Sequence, residues 1–128
     1  MGKFLQTEKP NQVAFKKTSA TISSAAKADG MYKDHAYPFC LPRDLAEENL
    51  YPRVRTTIRE YFERNKIKWH DGQNGKPSNH MCDSQVCCAN FLFPFADKPN
   101  ALAALLKPIF PDVQEMLPIE DGLYVAFE

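Results

Sequence analysis

The sequence predicts a mainly α-helical domain over residues 37–128, preceded by a flexible lysine-rich arm at residues 1–36 and closed by a short β element near the C-terminus. Three observations carry this prediction. Val54, Ile58, Tyr61 and Phe62 recur at i, i+4, i+7 and i+8, which is one apolar stripe of a helix. The run "QVCCANFLF" has only Gln85 and Asn90 among small and apolar residues, the composition of a helix buried on nearly all sides. "KPNALAALLKPIF" is a further helical stretch, begun near Pro99 and stopped before Pro108.

The remaining elements follow in order. "KKTSATISSAAKADG" is rich in Ser, Thr, Ala and Lys, so it has little to bury and much chain entropy to lose on ordering. Asp44, with Glu47 three residues later, resembles a capping box at the start of a short helix. Pro52 suits the first turn of the next helix, whose outer face carries Arg53, Arg55, Arg59, Glu60, Glu63 and Arg64. "NKIKWHDG" ends that helix, and Ile67 and Trp69 alternate with Lys68 and His70 as a short extended piece. "DGQNGKPSN" is a loop by composition, and Asp83 or Ser84 caps the helix after it. Pro94 ends or kinks that helix, and "PDVQEML" supplies one or two further turns. In "EDGLYVAFE" a turn at Asp121–Gly122 precedes the β-type residues Leu123, Tyr124, Val125 and Phe127. There is no internal repeat and no second domain.

With 128 residues the chain is large enough for one core. Its formal net charge is zero, so overall charge selects neither nucleic acid nor a membrane. The charges are unevenly placed, however. Lysines populate the first third, a basic stretch covers residues 53–68, and only acidic charges follow Lys107, which allows a basic surface on a neutral protein. No apolar run approaches the ~20 residues of a membrane span. The N-terminus lacks the apolar region of a secretory signal, so the expected compartment is the cytoplasm and the expected state of the cysteines is the free thiol.

His80, Cys82, Cys87 and Cys88 fall within nine positions. Structural zinc sites draw ligands in C-x2-4-C and H-x3-5-H pairs, whereas this arrangement is H-x-C-x4-C-C. Adjacent Cys87 and Cys88 would point about 100° apart on a helix. His80, Cys82 and Cys87 are the metal candidates, and they lack a local fourth donor. A redox role would fall to Cys82, nearest the helix start, but no C-x-x-C accompanies it. Burial as small apolar residues is the plainer reading. Gln85 and Asn90 then either bond neighbouring backbone or line a cleft floor, because a buried unpaired amide costs about 1–3 kcal/mol. Arg53, Arg55, Arg59, Arg64, Lys66 and Lys68 form either a solvated helix face or a DNA-facing surface that positions a duplex without reading its sequence. There is no G-x-S-x-G and no phosphate-cradling glycine loop. Metal-dependent nucleases need clustered carboxylates, often with a lysine, yet no lysine here has Asp or Glu two positions before it.

The blocks "LPRDLAEENLYPRVRTTIREYFERNKIKWHDG", "PSNHMCDSQVCCANFLFPFADKP" and "MLPIEDGLYVAFE" resemble the N-terminal part of bacterial restriction endonucleases of the PD-(D/E)xK superfamily, over residues 37–128. The preceding arm carries no such resemblance. What it implies is the helical flank of an α/β nuclease fold, with DNA as substrate and Mg2+ as the metal of the full-length enzyme. The family's catalytic Asp and Glu-x-Lys follow a segment like "YVAFE" and are not in this chain. An acidic residue that the superfamily often adds from an early helix would fall on Glu47 or Glu48. The expectation is therefore the N-terminal region of a restriction-type, Mg2+-dependent DNA endonuclease, inactive alone, as a fragment or a shortened gene product. A non-catalytic DNA-binding or protein-interaction module is one alternative. A small domain stabilised by zinc on His80, Cys82 and Cys87 is another. An unfinished C-terminal strand would expose a pairing edge and apolar surface, which favours self-association.

Overall fold

A computed structural model of the chain describes residues 2–72 and 74–128. Helix α1 spans Gly2–Thr18, α2 Arg55–Arg64, α3 Ser84–Leu92 and α4 Pro99–Leu106. Short 3-10 turns cover Ala25–Lys27, Arg43–Asn49 and Phe93–Phe95. The described residues add one antiparallel hairpin, strands β1 (Gly30–Tyr32) and β2 (His35–Tyr37), with Gly30 opposite Tyr37 and Tyr32 opposite His35. The molecule is thus mainly helical, as predicted, and its small sheet lies at residues 30–37. No helix among the described residues is long and apolar enough to cross a membrane.

The apolar stripe of α2 buries Ile58, Tyr61 and Phe62. Its end is local chemistry: Asn65 Nδ2 donates to Tyr61 O at 2.9 Å, and Lys66 turns left-handed at φ 55°. Asp83 caps α3 by accepting from Val86 N at 2.9 Å. These two helices enclose the larger core of Leu50, Ile58, Tyr61, Phe62, Val86, Ala89, Phe93 and Ala96. Trp69 covers it by stacking on Phe62, ring centroids 3.9 Å apart.

Several expectations need correction. Helix α3 is not buried all round: it hides Val86 and Ala89 but leaves Cys87, Cys88 and Phe91 at the surface. The buried cysteine is Cys40. Asp44 and Glu47 form no capping box, because Pro42 precedes the 3-10 turn and no side chain caps it. The C-terminal turn is present, with Asp121 and Gly122 at φ 52° and 70°, but no strand follows it. Residues 123–127 find no partner strand. Instead Tyr124 N donates to Ala96 O, Phe127 N donates to Tyr61 Oη, and Leu123, Val125 and Phe127 cover the aromatic core. The β element of the fold is the hairpin near the N-terminus. "PDVQEML" gives only single turns before an extended stretch.

Residues 1–36, read as a flexible arm, hold α1, a 3-10 turn and β1 among their described members. What ties α1 down is Lys16, which is 2% exposed and donates to Ala28 O (2.6 Å), Pro38 O (3.2 Å) and Cys40 O (2.7 Å). Lys9 adds a cation over the Phe39 ring at 4.6 Å. A second, smaller core of Ile22, Ala26, Leu41 and Met81 lies in this region.

Candidate functional site

The six cations assigned to a DNA-facing surface come from the approach to α2, the helix itself and its exit, and the fold treats them unequally. Arg55 donates from Nε (3.3 Å) and Nη2 (3.0 Å) to Leu50 O, so its guanidinium is spent holding the chain before α2. Arg59 pairs with Glu47 at 3.3 Å, and Arg64 with Asp121 at 3.4 Å. Arg53, Lys66 and Lys68 are exposed and have no side-chain partner among the described residues. Arg53 precedes α2 and the lysines follow it, about 20 Å apart at the helical rise of 1.5 Å per residue. The structure therefore spreads these charges along α2 and its flanks and does not gather all six in one pocket. Exposed ion pairs are worth about 0–1 kcal/mol. Arg59 and Arg64 can accordingly exchange a carboxylate for a phosphate at little cost, whereas Arg55 would strand a carbonyl.

The two acidic candidates diverge. Glu47 faces Arg59, while Glu48 accepts from Ser23 N and Ser23 Oγ, both at 2.7 Å, tying residues 19–27 to the 3-10 turn Arg43–Asn49. A Mg2+ ion that activates water draws on grouped carboxylate oxygens. Both Glu48 oxygens already accept from one serine, and no group of three or more His, Cys, Asp or Glu side chains capable of holding a metal occurs among the described residues. These residues do not fit a catalytic magnesium.

His80 accepts a hydrogen bond on Nδ1 from Cys82 N at 3.0 Å, which leaves its proton on Nε2. The ring lies against Tyr32 and Phe39, with centroids 5.0 Å away in both cases. Burial, helped by the charge of Lys9, holds its pKa below the usual histidine value. Burial and the nearby Cys87 push the Cys82 thiol up, which disfavours a reactive thiolate. Cys87 Sγ reaches Met81 O at 3.6 Å.

Gln85 and Asn90 bond backbone. Gln85 Oε1 accepts from His70 N (2.7 Å) and its Nε2 donates to Lys68 O (3.0 Å), clamping α3 to the extended piece after α2. Asn90 Oδ1 accepts from Tyr51 N and its Nδ2 donates to Asn49 O, both at 2.8 Å. Asn90 also lines a groove of about 480 Å3 with Phe15, Tyr51 and Phe91, but its amide is already committed.

Sequence reasoning missed Asn49 and Asn79, which do the same work as Gln85 and Asn90. Asn49 Nδ2 donates to Ser78 O and His80 O, and Asn79 Nδ2 to Met31 O and Leu41 O. It also missed Lys33, Arg43 and Lys76, which converge on a cavity. They are far apart in the chain, so no local spacing could reveal them.

No curated protein and no solved structure matches the chain. A family model does match, over residues 9–128, and so takes in most of α1 and the hairpin as well as the stretch from residue 37 that carried the resemblance. That model describes a restriction endonuclease associating with ARP (REase-ARP), and the chain belongs to this family.

Proposed function

We propose that this chain is the helical, DNA-contacting part of a restriction-type, Mg2+-dependent endonuclease of the PD-(D/E)xK kind, inactive alone and working in the cytoplasm. The observation that carries the reading is membership of a restriction endonuclease family in a chain where no lysine has an acidic residue two positions before it. Arg53, Lys66 and Lys68 present uncommitted charge to a duplex, and Arg59 and Arg64 join when phosphates displace Glu47 and Asp121. Such contacts fix register on the backbone and leave sequence unread.

Counterion release sets the test. Three phosphate contacts give a log K against log salt slope of about −2.7, or about 40-fold weaker binding from 50 to 200 mM salt. Five contacts give a slope of about −4.5, or about 500-fold. The purified chain should bind duplex DNA with a slope in this range and leave plasmid DNA intact in the presence of Mg2+. Absent or salt-independent binding contradicts the DNA reading. Metal-dependent cutting contradicts the assignment as a non-catalytic part.

A further inference from the structure

We propose that the cleft between the β1–β2 hairpin, the start of the 3-10 turn Arg43–Asn49 and residues 71–72 and 76–79 is a phosphate-binding pocket. Tyr32, Lys33, Arg43, Asp71, Lys76 and Asn79 line a cavity of about 290 Å3. This is the lower end of ligand-sized cavities, with room for a phosphate and the group that carries it.

Three cations from three separate segments meet here with one carboxylate, leaving a local charge of +2. Asp71 offsets one of the three charges, and its Oδ2 accepts from the Tyr32 hydroxyl at 3.1 Å. Lys33, Arg43 and Lys76 make no ion pair among the described residues. Arg43 uses Nε on Met31 O at 3.3 Å, which holds the guanidinium in place and leaves both terminal nitrogens for a bidentate contact. Lys76 Nζ reaches Asp44 O at 3.3 Å and retains two further donors. Converging donors with uncompensated charge suit a tetrahedral phosphate anion.

The backbone around the cleft is closely packed. A Cβ on Gly72 would lie 2.0 Å from Lys76 O, and one on Gly30 would lie 1.9 Å from Leu41 O. Only glycine at these positions lets the loop fold back on itself and the hairpin lie against residue 41. Asn79, 6% exposed, then pins the hairpin to the chain beside it through Met31 O and Leu41 O. The cations are thus carried by closely packed, hydrogen-bonded segments. The phosphate is either a free one, inorganic or nucleotide-borne, or a phosphodiester of a duplex, and the pocket itself does not depend on the DNA reading.

NMR titration of the 15N-labelled chain with inorganic phosphate, against chloride at matched ionic strength, tests this. Saturable shifts should centre on the amides of Lys33, Arg43, Gly72 and Lys76. Arg43→Gln and Lys76→Gln should each weaken binding about tenfold or more, while Lys107→Gln, outside the cleft, leaves it unchanged. Their unliganded spectra should otherwise match wild type, since Arg43 is exposed and Lys76 half-buried. No phosphate-specific shifts, or binding that both variants retain, overturns the proposal. If duplex affinity falls with Arg43→Gln, the source is backbone phosphodiester. If duplex affinity holds while phosphate affinity falls, the source is a free phosphate.

Discussion

The two cores of this molecule are built differently. Around α2 and α3, eight buried apolar residues close on one another, with Tyr61, Phe62, Phe93 and Phe127 in mutual aromatic contact. Around Leu41 there are four, Ile22, Ala26, Leu41 and Met81, and the polar residues Lys16, Ser78 and Asn79 are buried in the same part of the molecule. Four side chains bury too little area to offset the entropy of ordering three chain segments. Here the deficit is met by donors aimed at backbone carbonyls: Lys16 to three, Asn79 to two, Asn49 to two. In the aromatic core a truncated ring leaves a cavity; in the hydrogen-bonded one a removed donor leaves carbonyls short of a partner.

The largest expected effect lies in the aromatic core. Phe62, 1% exposed and stacked on Trp69, should cost about 3–5 kcal/mol on replacement by alanine. Urea unfolding monitored at Trp69 reads this directly. A loss below about 1 kcal/mol would mean that the core is not organised around this ring.

Next is Asn79→Ala, which strands Leu41 O, leaves Met31 O only its bond from Arg43 Nε, and should cost about 1–3 kcal/mol. The discriminating feature is locality. Hydrogen exchange should accelerate in the hairpin and α1 well before α2 and α3. Uniform acceleration would merge the two regions into one cooperative unit and remove the distinction.

Cys40 shows least at neutral pH and most in alkali. Burial pushes its thiol up to about 11 from an ordinary value of 9.0. Below pH 9 both folded and unfolded chains hold this proton, and the contribution is fully present. Above pH 9 the unfolded chain releases it first, so stability falls as pH rises toward 11. Relative to Cys40→Ala, the wild type should lose stability across that window, measured by urea midpoints at stepped pH. Parallel curves would show that Cys40 is solvated.

The contrast also separates what could be read in the sequence from what could not. The α2 stripe announces itself because Ile58, Tyr61 and Phe62 recur at helical spacing, and Asp83 caps α3 as its position before the apolar run requires. The second core has no such signature. Lys16 looks like any solvated lysine, since burial of that residue type is rare, and its three acceptors lie 12 to 24 positions away. The C-terminal residues have strand composition, but a strand needs a neighbour, and Tyr61 and Ala96 offer single bonds instead of a ladder. Gln85 and Asn90 were singled out because amides interrupt an apolar helix. Their partners, backbone atoms of residues 49–51 and 68–70, emerge only once the chain is folded. Of the six proposed DNA contacts, composition could not show that Arg55 is spent on Leu50.

The proposed contact with DNA runs through dispersed, uncommitted cations. The most direct measurement is the salt slope of duplex binding for the wild type beside a chain with Arg53, Lys66 and Lys68 all changed to glutamine. The slope should shrink by about 2.7, with folding intact because none of the three exposed side chains makes a hydrogen bond or ion pair among the described residues. An unchanged slope in a folded triple variant would contradict it.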